Sequence, residues 1–399
     1  MRIRLVLLAL LAAAPLCAQR PGDVPRRPRL AADADTNSAA AYFRLGNQQL
    51  GNAPAVAADA FYWAAQLDPA SGDALYGRHV ALLMTNQRRL VRYSEGDVGT
   101  LRSPEVQRID SLYYRALLRD PFLQRRYDRD LIRQYVLAVM TNPHGGAEER
   151  SLATFYTDAI MRELPPMMRG RVMGSEGRLA QALEAYDDAL RVSGRRNRVP
   201  ARVIRHERGR LYALAGNDSM ALVELGLALD AAVQEDEGEH LVWFYESKAM
   251  LEHSRGMVHE RRGDRTAARE AYARALTEDL SYHPAHLRLG IMAMAEGDTV
   301  TALAELGLAA QTGSTDIPAR QAYGTLLAAL HRLPEAEAEL LAVTELAPYY
   351  ADAWFLLGMV RDWRGEGDAH GAYRAFLDRA PRNHSRRAQA EQILGVPSP

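Results

Sequence analysis

From about residue 38 onward the apolar positions recur at helical rather than strand spacing, and small residues among them recur over a much longer step. Gly256, Gly290, Gly324 and Gly358 stand 34 residues apart. Seven residues beyond each comes Gly263, Gly297, His331 or Gly365. Ala268, Ala302 and Ala336 follow five further on, with Ala369 one residue early, and a large side chain follows each, as Tyr272, Leu306, Leu340 and Tyr373. The frame also stands upstream as Gly209, Tyr212, Gly216, Ala221, Leu225 and Ala228, and as Gly170, Gly177, Ala182, Tyr186 and Ala189, with steps of 47 and 39. This pattern predicts a helix of about 13 residues with a glycine where a neighbour crosses, a left-handed glycine turn, and a second helix. Ala268, Tyr272 and Ala275 fall at spacings of 4 and 3 on one face of that second helix. One hairpin cannot bury such a stripe alone, so successive hairpins must stack into an all-α solenoid.

The pattern resembles bacterial members of the tetratricopeptide repeat family. Trp354, Leu357, Gly358 and Gly365 carry the resemblance, with Leu289, Gly290, Gly297 and Ala302, and Pro348 or Pro381 after the Ala-rich second helices. It implies a right-handed superhelix, with two units in 163–235, an insertion at 236–248, four units in 249–382, and a capping helix and tail in 383–399. Residues 38–162 fit only as divergent helical repeats. Tyr42, Leu45 and Gly46 open a unit whose second helix (Ala57, Phe61, Ala64, Pro69) is one residue out of step, and Tyr113, Ala116 and Pro121 mark another second helix beyond a loop at Ser94–Ser103. Phe122–Thr141 and Ala147–Glu163 read as further helices around the loop Asn142–Gly146.

In that family the first helices line a concave groove that takes extended or helical peptides. The position after each framing glycine, which should face this groove, holds Met257, Ile291, Thr325 and Met359, and three residues before it stand His253, Leu287, Gln321 and Phe355. Met294 and Trp363 belong to the same wall. The basic and asparagine residues with which some relatives clamp a terminal carboxylate are not at these places. An apolar, Met-containing groove implies an apolar protein segment as partner; the alternative is that these side chains pack on neighbouring hairpins or on a helix at Ser385–Leu394.

The amino terminus changes the setting. Two arginines in Met1–Arg4 precede an apolar run, Leu5–Leu16, too short to span about 30 Å of hydrocarbon. This predicts a secretory signal in 1–18, and hence a periplasmic or secreted protein. Cleavage after Ala18 is favoured over cleavage after Ala14, because Pro15 would hinder the latter. Leu16 disfavours lipidation of Cys17, the sole cysteine, so cleavage removes the only thiol. Residues 19–37, rich in Pro and Arg and then in Ala and Asp, read as a disordered tether. No later stretch is apolar enough to span a membrane.

Charged residues make up 25% and apolar ones 48%, as in a folded protein, and 49 Lys+Arg against 50 Asp+Glu give a net charge of -1. That balance sets nucleic acid aside as partner. Arg191 to Arg210 nevertheless holds eight arginines and one acid, Glu207, while Glu235, Asp236, Glu237 and Glu239 follow the same unit. The two clusters either face each other across the hairpin or leave the basic one to dock an anionic partner. The run Leu241, Val242, Trp243, Phe244 and Tyr245 is too apolar for an idle linker.

Catalytic motifs are missing: there is no GxSxG, HExxH or EF-hand loop, and the only lysine, Lys248, lies in no phosphate loop. His283 and His286 share a helix face without further ligands to complete a metal shell, and His253 and His259 are less well placed still. Asp187 and Asp188 point to different azimuths of a solvated helix. The expectation is a scaffold with no chemistry, metal or cofactor, which binds an apolar peptide in its groove. Two alternatives stand: a carbohydrate-binding accessory protein of an outer-membrane uptake system, stacking sugars on Trp63, Trp243 or Trp363, and a hydrolase with a site between Thr85 and Glu163 that uses His144.

Overall fold

A computed structural model describes residues 24–141, 147–192, 200–236 and 246–395, and among them the regular elements are all helices. In the amino-terminal part these are α1 (Ala39–Gln49), α2 (Pro54–Leu67), α3 (Gly72–Met84), α4 (Gln87–Ser94), α5 (Val98–Leu101), α6 (Pro104–Arg119), α7 (Asp128–Met140) and α8 (Ala147–Arg162). Regular hairpins follow: α9 (Pro166–Ser175) with α10 (Leu179–Val192), α11 (Ala201–Leu214) with α12 (Asp218–Asp236), and α13 (Lys248–Arg261) with α14 (Arg265–Glu278). Next come α15 (His283–Glu296) with α16 (Thr299–Thr312), α17 (Ile317–Ala329) with α18 (Leu333–Leu346), and α19 (Ala351–Arg364) with α20 (Ala369–Arg379). The short α21 (Arg387–Leu394) covers the end of α20.

Local chemistry sets these boundaries. Ser38, Ser71, Ser103, Ser247, Asp264, Asp298, Asp316 and Asp368 each accept a backbone amide at a helix start, satisfying donors the helix leaves free. Gly297 and Gly365 end their helices in left-handed turns, and His331 takes the same conformation, with φ of 59°, where its unit lacks the glycine.

The framing glycines have a different task. A Cβ on Gly256 would stand 2.5 Å from the Tyr272 ring, and one on Gly290 2.6 Å from Leu306. Each glycine therefore lets the large residue of its own second helix lie against the first helix. Phe61 does this twice, since a Cβ on either Gly46 or Gly77 would stand 2.7 Å from its ring. Phe61 thereby joins α1, α2 and α3. The partner of α3 is α6, with α4 and α5 set between them in sequence. Helix α8 packs on α7 through buried Ala153 and Thr157.

The two ends of the described structure meet. Residues 24–37, expected to be an unfolded tether, hold no helix but bridge the first hairpin to the last. The Arg27 guanidinium lies over Trp63 at 4.3 Å and over Tyr349 at 5.2 Å, and those two rings are 4.7 Å apart. Trp63 donates its indole N–H to the Pro25 carbonyl at 3.1 Å. The Arg382 amide donates to the Asp35 carboxylate at 2.6 Å, and the Asn37 amide group donates to the Asp378 carbonyl at 2.8 Å. Composition registers the missing apolar periodicity of this stretch, whereas its contacts are made by individual charged and aromatic groups.

Candidate functional site

First helices of successive hairpins touch along the inner side of the stack, as in α15, α17 and α19. The position after the framing glycine is, in chain order, Arg171, Arg210, Met257, Ile291, Thr325 and Met359. Charge dominates at one end of this row and apolar character in the middle.

The charged end is filled by the chain itself. Residues 120–127, between α6 and α7, lay Phe122 against Ala213, Ala221, Leu225, Leu251 and Val258. Arg210 donates to the Leu123 carbonyl at 3.0 Å, and Arg125 pairs with Glu207 at 2.7 Å. Arg171 donates to Asp128 at 2.8 Å, and Tyr76 donates to the same carboxylate. Burial alone would raise the Glu207 carboxyl, but Arg125 and Arg210 outweigh it and hold the group well below the usual range. His206, Glu207 and Glu246 bring donor atoms within 4.8 Å of one another, the only such metal-sized group among the described residues. In this network, however, Arg125, Arg171 and Arg210 already balance Asp128, Glu207 and Glu246, so a divalent cation would add uncompensated buried charge. We assign no metal there.

The apolar part remains open. Ile291 and Met294 of α15, together with Ile317, Pro318, Gln321, Ala322 and Thr325 of α17 and Tyr350 before α19, line a cleft of about 340 Å³. Its opposite wall is Pro69 and Ala70, from the turn between α2 and α3. Of the residues expected in the groove, four therefore converge: Ile291, Met294, Gln321 and Thr325. The stripe Ile317, Gln321, Thr325 is legible at helical spacing. Pro69 and Ala70 carry no signal in the sequence, because nothing periodic links them to α15.

The other expected groove residues lie elsewhere. His253 is buried between Tyr272 and Tyr282, at ring distances of 5.4 and 5.5 Å, and its ring nitrogens have no hydrogen-bond partner among the described residues. Met257 packs against the buried core around α13, Leu287 against the cluster of Leu306 and Leu326, and Met359 against the cluster of Leu340 and Val360. Phe355 is buried against Tyr373 and Phe376, with Arg386 over its ring at 5.0 Å. Trp363 is exposed, 6.4 Å from the His331 ring.

Other candidate groups resolve into internal pairs. His283 lies 3.3 Å from Asp316, which Arg119 of α6 also holds, and His286 lies 2.7 Å from Glu305 and 3.2 Å from the Leu280 carbonyl. Of the basic stretch, Arg205 pairs with Glu224, Arg208 with Asp187 and Glu224, Arg210 with Glu207, and Arg191 with Asp188. Its partners are thus acids of α10, α11 and α12. Arg195, Arg196, Arg198, Glu237 and Glu239 lie outside the described residues, as do His144, Cys17 and the run Leu241–Tyr245. Trp63, offered for sugar stacking, is buried beneath Arg27 and Tyr349, and Trp243 also lies outside the described residues.

No protein-family model matches the sequence, and no curated protein matches it. Solved structures overlie parts of it. YrrB, described as a TPR protein with an unusual peptide-binding site, is 20% identical over 53% of this chain and 99% of its own, with a TM-score of 0.39. The carboxy-terminal part of a TPR repeat-containing protein from Cytophaga hutchinsonii is 13% identical over 53% of this chain and 78% of its own, with a TM-score of 0.41. MamA (AMB-1) is 18% identical over 44% of this chain and 90% of its own, with a TM-score of 0.35. At these scores the likeness carries no argument about the cleft.

Proposed function

We propose that this chain is a non-catalytic interaction scaffold of the bacterial envelope that holds an apolar protein segment in the cleft between α15, α17 and the α2–α3 turn. The observation that carries this reading is the exposure of Ile291 and Met294, 37% and 41%, beside Ile317, Pro318 and Tyr350 in a concavity. Apolar side chains set in a cleft gain when a partner takes them out of water, by about 1.5 to 3 kcal/mol for each large partner side chain buried. Methionine adapts to segments of different shape. Gln321 and Thr325 supply polar groups for the backbone of the bound segment, which gives the site direction as well as affinity. The charged end of the inner face, closed by residues 120–127, takes no part in the binding.

Export rests on the predicted signal in residues 1–18. Among the described residues no helix is long and apolar enough to cross a membrane. Gln19 as the first residue of the protein recovered from the envelope would agree with export and cleavage after Ala18, and an intact Met1 there would refute it.

The test is selection of peptides from a random library on the folded protein, followed by fluorescence anisotropy on those selected. Apolar sequences should emerge. Ile291→Glu with Met294→Glu, both at exposed positions, should weaken their binding more than tenfold with the helical spectrum unchanged. Selected peptides that bind the double variant as well as the original chain would sink the proposal.

A further inference from the structure

Helix α8 presents an apolar stripe that its neighbours among the described residues leave uncovered. Ala153 and Thr157 face α7, while Leu152, Phe155, Tyr156 and Ile160 are 58%, 69%, 51% and 37% exposed, and Ala159 is exposed between them. These positions follow the spacing of one helix face. Val139 and Met140, at the end of α7, are 52% and 39% exposed. An isolated exposed leucine needs no explanation, but a contiguous face of this kind marks an interaction surface.

We infer that the α8 face joins two copies of this chain through an antiparallel, two-fold α8–α8 contact. Two features favour a second copy as the occupant. The first is self-complementarity. An antiparallel register that places Leu152 opposite Ala159 of the other copy also places Phe155 opposite Tyr156, so the exposed positions 152, 155, 156 and 159 pair among themselves, large against small and ring against ring. Phe155 and Tyr156 already meet edge to face at 5.8 Å, and the contact brings together four such rings. The second is area. With large side chains carrying about 150 to 250 Å² each, these exposed fractions amount to about 500 Å² on one copy and about 1,000 Å² across the axis, the lower bound of a specific interface. The dimer is accordingly weak. The contact involves none of the cleft residues, so it stands or falls independently of the proposed function.

Sedimentation velocity on the full mature chain, over a concentration series up to about 100 µM, tests it. A monomer–dimer equilibrium with a micromolar dissociation constant is expected. Leu152→Glu with Phe155→Glu should leave a monomer with unchanged helical spectrum and melting temperature, because both side chains are exposed. Ala159→Glu, which sets a charge opposite Leu152 of the other copy, should weaken dimerisation about fivefold or more with the helical spectrum unchanged. An original chain that stays monomeric, whether free or carried up with phosphatidylglycerol vesicles in flotation, overturns the inference. A dimer that survives Leu152→Glu with Phe155→Glu, or one that is as strong after Ala159→Glu, overturns it as well.

Discussion

His253 occupies a position expected to face the groove, yet it is 2% exposed, enclosed between two tyrosine rings, with neither ring nitrogen paired among the described residues. Burial, with Arg288 and His283 adding to it, pushes its pKa down to about 3. The folded state thus keeps the ring neutral while the unfolded chain takes up a proton near pH 6.5. Between these values the unfolded state binds more protons, so stability falls as the pH is lowered, by up to about 1.4 kcal/mol per pH unit. His253→Phe should remove this part of the acid sensitivity between about pH 6.5 and 3 and leave stability at pH 8 within about 1 kcal/mol, as read by thermal melts across that range. An unchanged acid slope would contradict it. The sequence placed His253 on the correct helix but could not say that Tyr282, from the loop between α14 and α15, closes over it. A helix face fixes direction and leaves open what stands there.

Glycine shows how one residue type serves two ends within an element. Gly256 of α13 touches the Tyr272 ring, whereas Gly226 of α12 has nothing within 4 Å of where a Cβ would stand. Both have ordinary helical backbones. Gly256→Ala should therefore destabilise by about 1 to 3 kcal/mol through overpacking, while Gly226→Ala should stabilise by about 0.5 to 1 kcal/mol, since alanine loses less backbone freedom in a helix. Urea titration of both variants reads the difference, and equal effects would refute the close-approach reading of the repeat. The 34-residue period marked Gly256 and passed over Gly226, so at this scale the sequence was legible. It was not legible between α3 and α6, where α4 and α5 separate two helices that pack as a pair.

The strap at residues 24–37 and the filling of the inner face by 120–127 belong to the whole molecule. Arg27→Ala with Asp35→Ala removes the guanidinium from Trp63 and Tyr349 and the acceptor of the Arg382 amide. Cation–π contacts are worth about 0.5 to 2 kcal/mol and a hydrogen bond about 1, so amides of α1, α20 and α21 should exchange with solvent about tenfold faster or more. Those of α9 to α12 should not change. Hydrogen-exchange mass spectrometry separates the two regions, and uniform protection in the variant would mean that the ends hold together without the strap. By itself the sequence determined the hairpin, its turn and its repetition. Those contacts join a residue to its second helix or to the next unit, and such short, recurring separations print a period. Only the tertiary structure decided which inner positions stay open. The Arg119–Asp316 pair spans 197 residues, and Pro69 and Ile291, from equally distant parts of the chain, line one cleft. Contacts of that kind occur once, between segments with no common frame, and a pattern along the chain cannot record an event that does not repeat.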